Sequence, residues 1–69
     1  MQPSESAVWT KLKPWRGAVK RDDAGDLYQW DYTHGDIEVY NSRGEHKGCI
    51  DPTTGAKTKP PVKGRKITV

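Results

Sequence analysis

From Ala18 onward, apolar and polar residues alternate in short runs, and each run ends at a cluster of turn-forming residues. The clusters are Asp22-Asp23-Ala24-Gly25, His34-Gly35, Ser42-Arg43-Gly44 and Asp51-Pro52-Thr53-Thr54-Gly55. Asp, Asn and Ser side chains bond back to the backbone in tight turns, Pro presets φ, and Gly takes the left-handed positions. The pattern predicts about five short antiparallel strands, over 18–21, 27–33, 36–41, 46–50 and a last extended piece around 65–69. Residues 1–17 contain Pro3, Pro14 and Gly17 and no sustained apolar period. They read as an irregular or short-helical N-terminal arm with one helical turn near residues 6–12. The expected fold is therefore mainly β, a small, highly twisted antiparallel sheet over 18–69.

Alternation also assigns faces. In the second strand Tyr28, Trp30 and Tyr32 share the face expected to be core, and Leu27, Gln29 and Asp31 share the other. In the third, Ile37 and Val39 oppose Asp36, Glu38 and Tyr40. A hairpin across His34-Gly35 brings Asp31, His34 and Glu38 to one side of the sheet, provided that no bulge shifts the register. The lysine-bearing stretch 56–65, with Pro60-Pro61, should be extended, placing Arg65 within reach of that side.

Composition narrows the possibilities. A single 69-residue domain buries only about 60% of its unfolded surface, which rules out a large internal cavity and leaves a thin stability margin. With no Phe, three Trp and three Tyr must supply much of the core. The lone Cys49 excludes an internal disulfide and reads as a small apolar strand residue. No apolar run approaches the roughly 20 residues of a membrane-spanning helix, and no secretory leader is recognisable. His46 follows a turn in a polar strand and reads as a surface residue. Trp9, Trp15 and Trp30 read as core or partner-interface residues before base-stacking ones.

Charge is segregated. Residues 22–51 hold eight acids against Arg43 and Lys47, a formal charge of −6, while the flanks carry ten of the twelve cations and only Glu5 in opposition. The net charge is +3 and the sequence pI about 9.2, which favours polyanionic partners. A pure phosphate clamp gains nothing from carboxylates near phosphate. An enzyme acting on a polyanion, in contrast, needs basic rails for grip and local acids for proton transfer. The lysines between Lys57 and Lys66 fit either a phosphate track or a solvated tail.

Residues 31–38 concentrate Asp31, His34, Asp36 and Glu38. RNA cleavage without a metal requires a base for the ribose 2′-hydroxyl proton, an acid for the leaving 5′-oxygen and a cation for charge building on phosphorus. Glu38 can serve as base and His34 as acid, or the reverse, with Asp31 orienting the imidazole and Arg65 offering a planar fork to the phosphate. Two other readings remain. Asp31 and His34 can be turn formers beside a solvated Glu38, or the four residues can hold a divalent ion.

The string Tyr28-x-Trp30-Asp31-x-x-His34-Gly35-Asp36-x-Glu38, followed by Tyr40, Gly44, Asp51-Pro52-x-Thr54-Gly55 and Arg65-Lys66-Ile67, resembles the cytotoxic domains of the ribosomal-RNA-cleaving colicin and cloacin family. Similar domains also end contact-dependent growth inhibition toxins. The resemblance covers about residues 25–67, and Asp36 stands where the family carries Glu. It implies a twisted antiparallel sheet and a ribonuclease that cuts small-subunit ribosomal RNA at the decoding A site with no cofactor or metal. It also implies Asp31, His34, Glu38 and Arg65 as catalytic groups. Asp36, Tyr40, Lys57, Lys59, Lys63 and Lys66 are the candidate auxiliary or substrate-binding residues. An acidic immunity protein is the expected partner besides the ribosome, and the domain is expected to be monomeric apart from that complex. Delivery is expected from a secreted or cell-surface toxin, with action in the cytoplasm of a target bacterium. The alternative from another class is a noncatalytic, basic RNA-binding β module; a third is a protein-interaction domain whose acidic middle meets a complementary surface.

Overall fold

The four hairpin turns from residue 22 onward each begin at an Asp or Asn whose side chain accepts two backbone N–H groups. Asp22 takes those of Ala24 and Asp26, Asp31 those of Thr33 and His34, Asn41 those of Arg43 and Glu45, and Asp51 those of Thr53 and Thr54. This repeated device satisfies amides that the ladders cannot reach. It folds the chain into a meander. In the computed structural model, which describes residues 1–69, the strands are β1 (Lys13–Arg16), β2 (Val19–Arg21), β3 (Leu27–Asp31), β4 (Asp36–Tyr40), β5 (His46–Ile50) and β6 (Lys57–Lys59). They form one antiparallel sheet in the order β1-β2-β3-β4-β5-β6.

Two departures from the sequence expectation concern the ends. The N-terminal stretch has the expected helical turn but also supplies a strand. A 3-10 turn (Pro3–Glu5) and a helix, α1 (Ala7–Thr10), precede β1, which pairs with β2. The Ser6 hydroxyl accepts from the Trp9 amide and donates to the Pro52 carbonyl at 2.6 Å, tying α1 to the β5–β6 turn. At the other end, the last strand is β6, and residues 65–69 form no strand. Pro60 and Pro61, lacking an N–H, end β6. The chain then turns back beside β5: the His46 amide donates to the Arg65 carbonyl, the Ile67 amide donates to the Gly44 carbonyl, and Glu45 and Lys66 form an isolated bridge.

One face of the sheet carries the hydrophobic core. Trp9, Trp30 and Ile37 are buried together, with Val8, Leu12, Tyr28 and Ile50 packed around them. Trp9 meets Trp30 edge to face at 5.8 Å, a geometry that adds about 0.5–1.5 kcal/mol beyond area burial. The expected aromatic face is only partly core. Trp30 is buried, Tyr28 is half-buried with its hydroxyl donating to Asp22, and Tyr32 is exposed because β3 ends before it. All five residues of β4 are buried, so both of its faces are covered. That is what places the carboxylate of Glu38 inside the protein.

Candidate functional site

Register determines which side chains meet Glu38. Gln29 on β3 and Cys49 on β5 lie directly opposite it. Alternation along an unbroken β5 would put His46 on the opposite face from Cys49. A bulge intervenes: Val39 pairs with Gly48 but Tyr40 pairs with His46, leaving Lys47 without an opposite residue. The extra residue turns His46 to the Glu38 face.

His46 is consequently not a surface residue. Its side chain is 0% exposed, and its Nε2 lies 2.7 Å from Glu38 Oε1. The Val62 amide donates to His46 Nδ1 at 2.9 Å, so the proton on a neutral ring sits on Nε2 and is given to Glu38. Arg65 Nη1 donates to the same carboxylate oxygen at 3.0 Å, and the Cys49 thiol donates to Oε2 at 3.2 Å. Cys49 is therefore buried as expected, but as a hydrogen-bond donor. Burial, reinforced by the neighbouring Glu38 carboxylate, pushes its thiol up to about 12. Glu38 is fixed by three donors and is no solvated strand residue.

Asp31 combines two roles. Its Oδ1 closes the β3–β4 turn, and its Oδ2 lies 2.8 Å from His34 Nδ1. The hydrogen bond from His34, then that ring's backbone amide, holds the Asp31 carboxyl below the usual carboxylate range. The His34 side chain is 60% exposed, and its Nε2 has no partner within the protein, so it presents a free ring nitrogen to solvent. Glycine is required in the same turn, since Gly35 has φ 69°.

Asp31, His34, Glu38 and Arg65 thus line one cleft of about 180 Å3, together with His46, Cys49, Lys59, Pro60 and Val62. Asp36 is buried beside it, with its Oδ2 at 3.4 Å from Lys59 Nζ and its Oδ1 without a partner. Tyr40 packs edge-on against His46 at 5.2 Å. Burial, with the Glu38 charge second, raises its hydroxyl pKa. Of the four candidate lysines, Lys59 reaches the cleft; Lys57, Lys63 and Lys66 lie exposed outside its lining.

The side chains suggest two metal-ligand sets: Glu38, His46 and Cys49; and Asp31, Asp36 and Glu38. Several of these donor atoms already hold other partners, while Asp36 Oδ1 holds none. His46 Nε2 carries the proton it gives to Glu38, so its lone pair is not free, and Lys59 and Arg65 already face the carboxylates.

These features define a class: a small, mainly β domain whose sheet holds buried and exposed carboxylates and histidines in a cleft bordered by cations. Sequence comparison supplies the family. Residues 11–68 match the model of the family described as Cytotoxic, and the chain belongs to that family. It is 44% identical to cloacin and 41% identical to colicin E3, both of Escherichia coli, over 58 residues, or 83% of this chain and 10% of each relative. It is 40% identical to colicin-E6 of the same organism over 47 residues, 67% of this chain and 8% of that relative. The chain thus spans about a tenth of the length of the curated relatives it matches.

Proposed function

We propose that this chain is a toxin ribonuclease domain that cleaves small-subunit (16S) ribosomal RNA at the decoding A site by metal-independent transesterification, thereby blocking translation. The observation that carries the reading is the shared cleft. A buried carboxylate is bonded to a guanidinium at 3.0 Å, and an Asp–His pair at 2.8 Å lines the same space. Membership of the Cytotoxic family supports the toxin role.

The chemistry follows from the positions. Glu38, held by His46 and Cys49, takes the 2′-hydroxyl proton, and the 2′-oxygen attacks phosphorus. The P–O5′ bond breaks, and His34, through its solvent-facing Nε2, gives a proton to the 5′-oxygen. The products are a 2′,3′-cyclic phosphate and a 5′-hydroxyl. The reverse assignment of base and acid uses the same two groups. Asp31 orients His34 through the 2.8 Å contact between Oδ2 and Nδ1, as a carboxylate does in hydrolytic triads. The Arg65 side chain is 47% exposed and can exchange Glu38 for a phosphate oxygen. That exchange both frees a lone pair on the base and brings a fixed cation to the charge on phosphorus. Lys59 offers a second cation once it leaves Asp36.

Ribosomal RNA is the proposed substrate and an acidic immunity protein the proposed inhibitor. Delivery would come from a larger secreted or cell-surface toxin, with action in the cytoplasm of the target bacterium. The test is cleavage of ribosomes by His34→Ala and Glu38→Gln proteins. Each is expected to lose about 10²-fold to 10⁴-fold in rate, the usual worth of a positioned acid or base. Activity equal to the unsubstituted chain in either would refute the mechanism.

A further inference from the structure

Away from the cleft, one concave surface is lined by aromatic rings. Trp9, Trp30 and Tyr32, with Lys20 and Gln29, border a groove of about 510 Å3, within the roughly 300–1,000 Å3 usual for small-ligand sites. The two tryptophans are core residues that show only an edge, at 8% and 7% exposure, whereas Tyr32 is 77% exposed. Its ring is tilted 56° to that of Trp30 at 6.5 Å, so the two are not stacked. Lys20 holds its ammonium 5.0 Å from the centre of the Trp9 ring.

This groove shares three lining residues, Gln29, Trp30 and Tyr32, with a second depression that reaches Glu38 and Arg65. Tyr40 lines that depression as well. Tyr32, 77% exposed, borders both, so its ring is open to a strand whose phosphate lies at Arg65 and Glu38.

We infer that the groove is a base-binding subsite, in which an unpaired base next to the scissile phosphate stacks on Tyr32 and Lys20 meets the phosphate beyond it. The inference rests on the ribonuclease reading and adds that the substrate strand is locally single-stranded. Stacking on an exposed ring tolerates any base, because each base has a π-face, and a nearby cation strengthens it. A base inside a duplex has no free face to offer.

The test uses the full chain and short single-stranded RNAs that are 2′-O-methylated, so that no nucleophile is present, with 2-aminopurine at successive positions. Binding is expected to quench the fluorescence at one position. Tyr32→Ala is expected to remove that quench and weaken binding about tenfold, within the range for a base–aromatic contact, whereas Tyr32→Phe retains both. The side chain is exposed, so Tyr32→Ala keeps the native circular dichroism. Unchanged quench and affinity in Tyr32→Ala would overturn the inference. So would a dimer that this substitution dissociates with RNA affinity unaltered, which would show that a second copy covers the groove. If the unsubstituted chain leaves ribosomal RNA uncut, the ribonuclease reading fails and the stacking assay still decides the subsite. If cleavage occurs and Tyr32→Ala binds normally, only the subsite fails.

Discussion

Glu38 and His34 are both candidates for proton transfer, yet they stand in opposite environments, and substitution should separate them. The His34 side chain is mostly exposed, so His34→Ala should lower the thermal unfolding midpoint only slightly, through the lost bond to Asp31, while removing activity. Glu38→Ala strands the fully buried His46 Nε2–H and the Cys49 thiol. It should cost about 1–3 kcal/mol in denaturant unfolding as well as abolish cleavage. Burial thus separates the two: Glu38 belongs to the interior and His34 does not. Asp31 supplies a pH test. Its folded pKa lies below the ordinary 3.8 because of the His34 hydrogen bond. Its contribution to stability is therefore present above 3.8 and lost as the pH falls through the lowered folded value. Carboxyl NMR titration should show this depressed value, and His34→Ala should move it upward. Asp31, His34 and Glu38 were legible in the sequence because a short turn fixes their spacing. His46 and Cys49 were not, because their role depends on cross-strand register and on one unpaired residue, which alternation along a single strand does not encode.

At the level of elements, the positions of β2, β3, β4 and β5 were readable from their turn residues, and the ends of the sheet were not. β1 is a Lys-Pro-Trp-Arg segment with no alternating apolar face, and its place depends on pairing with β2 and on α1 packing Trp9 into the core. The C-terminal piece looked like a strand by composition but follows two prolines and is held by only a few bonds. Those bonds hold Arg65 beside Glu38. Gly48 makes a related close approach: its φ is 123°, and a Cβ there would sit 2.5 Å from the Lys59 carbonyl oxygen. Gly48→Ala should destabilise the domain by roughly 1–3 kcal/mol. It should also speed amide exchange in β6, which carries Lys59 toward the cleft. A Gly48→Ala protein with normal exchange at residues 57–59 would contradict this account of how the cleft wall is held.

Over the whole molecule, charge segregation and the small core were visible in composition alone. The acidic middle proved to contain both turn formers and the site. Asp22, Asp31 and Asp51 close hairpins, whereas Glu38 and Asp36 point into the interior. Composition cannot distinguish these uses, since each depends on whether the residue falls at a turn or within β4, which is covered on both faces. The basic ends remain available for phosphate. Lys57, Lys63 and Lys66 have no ion-pair partner and extend beyond the cleft. If Lys63 and Lys66 track phosphate, replacing both with Ala should reduce the slope of log binding constant against log salt by about 1.4 for single-stranded RNA. An unchanged slope would make them a solvated tail. A metal-independent cut made by the Glu38 cleft can be read on ribosomes. The chain is freed of metal by chelation and desalting, incubated with intact bacterial ribosomes, and the ends in small-subunit RNA are mapped beside those from a folded Glu38→Gln protein. The account predicts one new cut in the decoding region, ending in a 2′,3′-cyclic phosphate and absent with Glu38→Gln. Uncut RNA, or a cut that persists in Glu38→Gln, would contradict it.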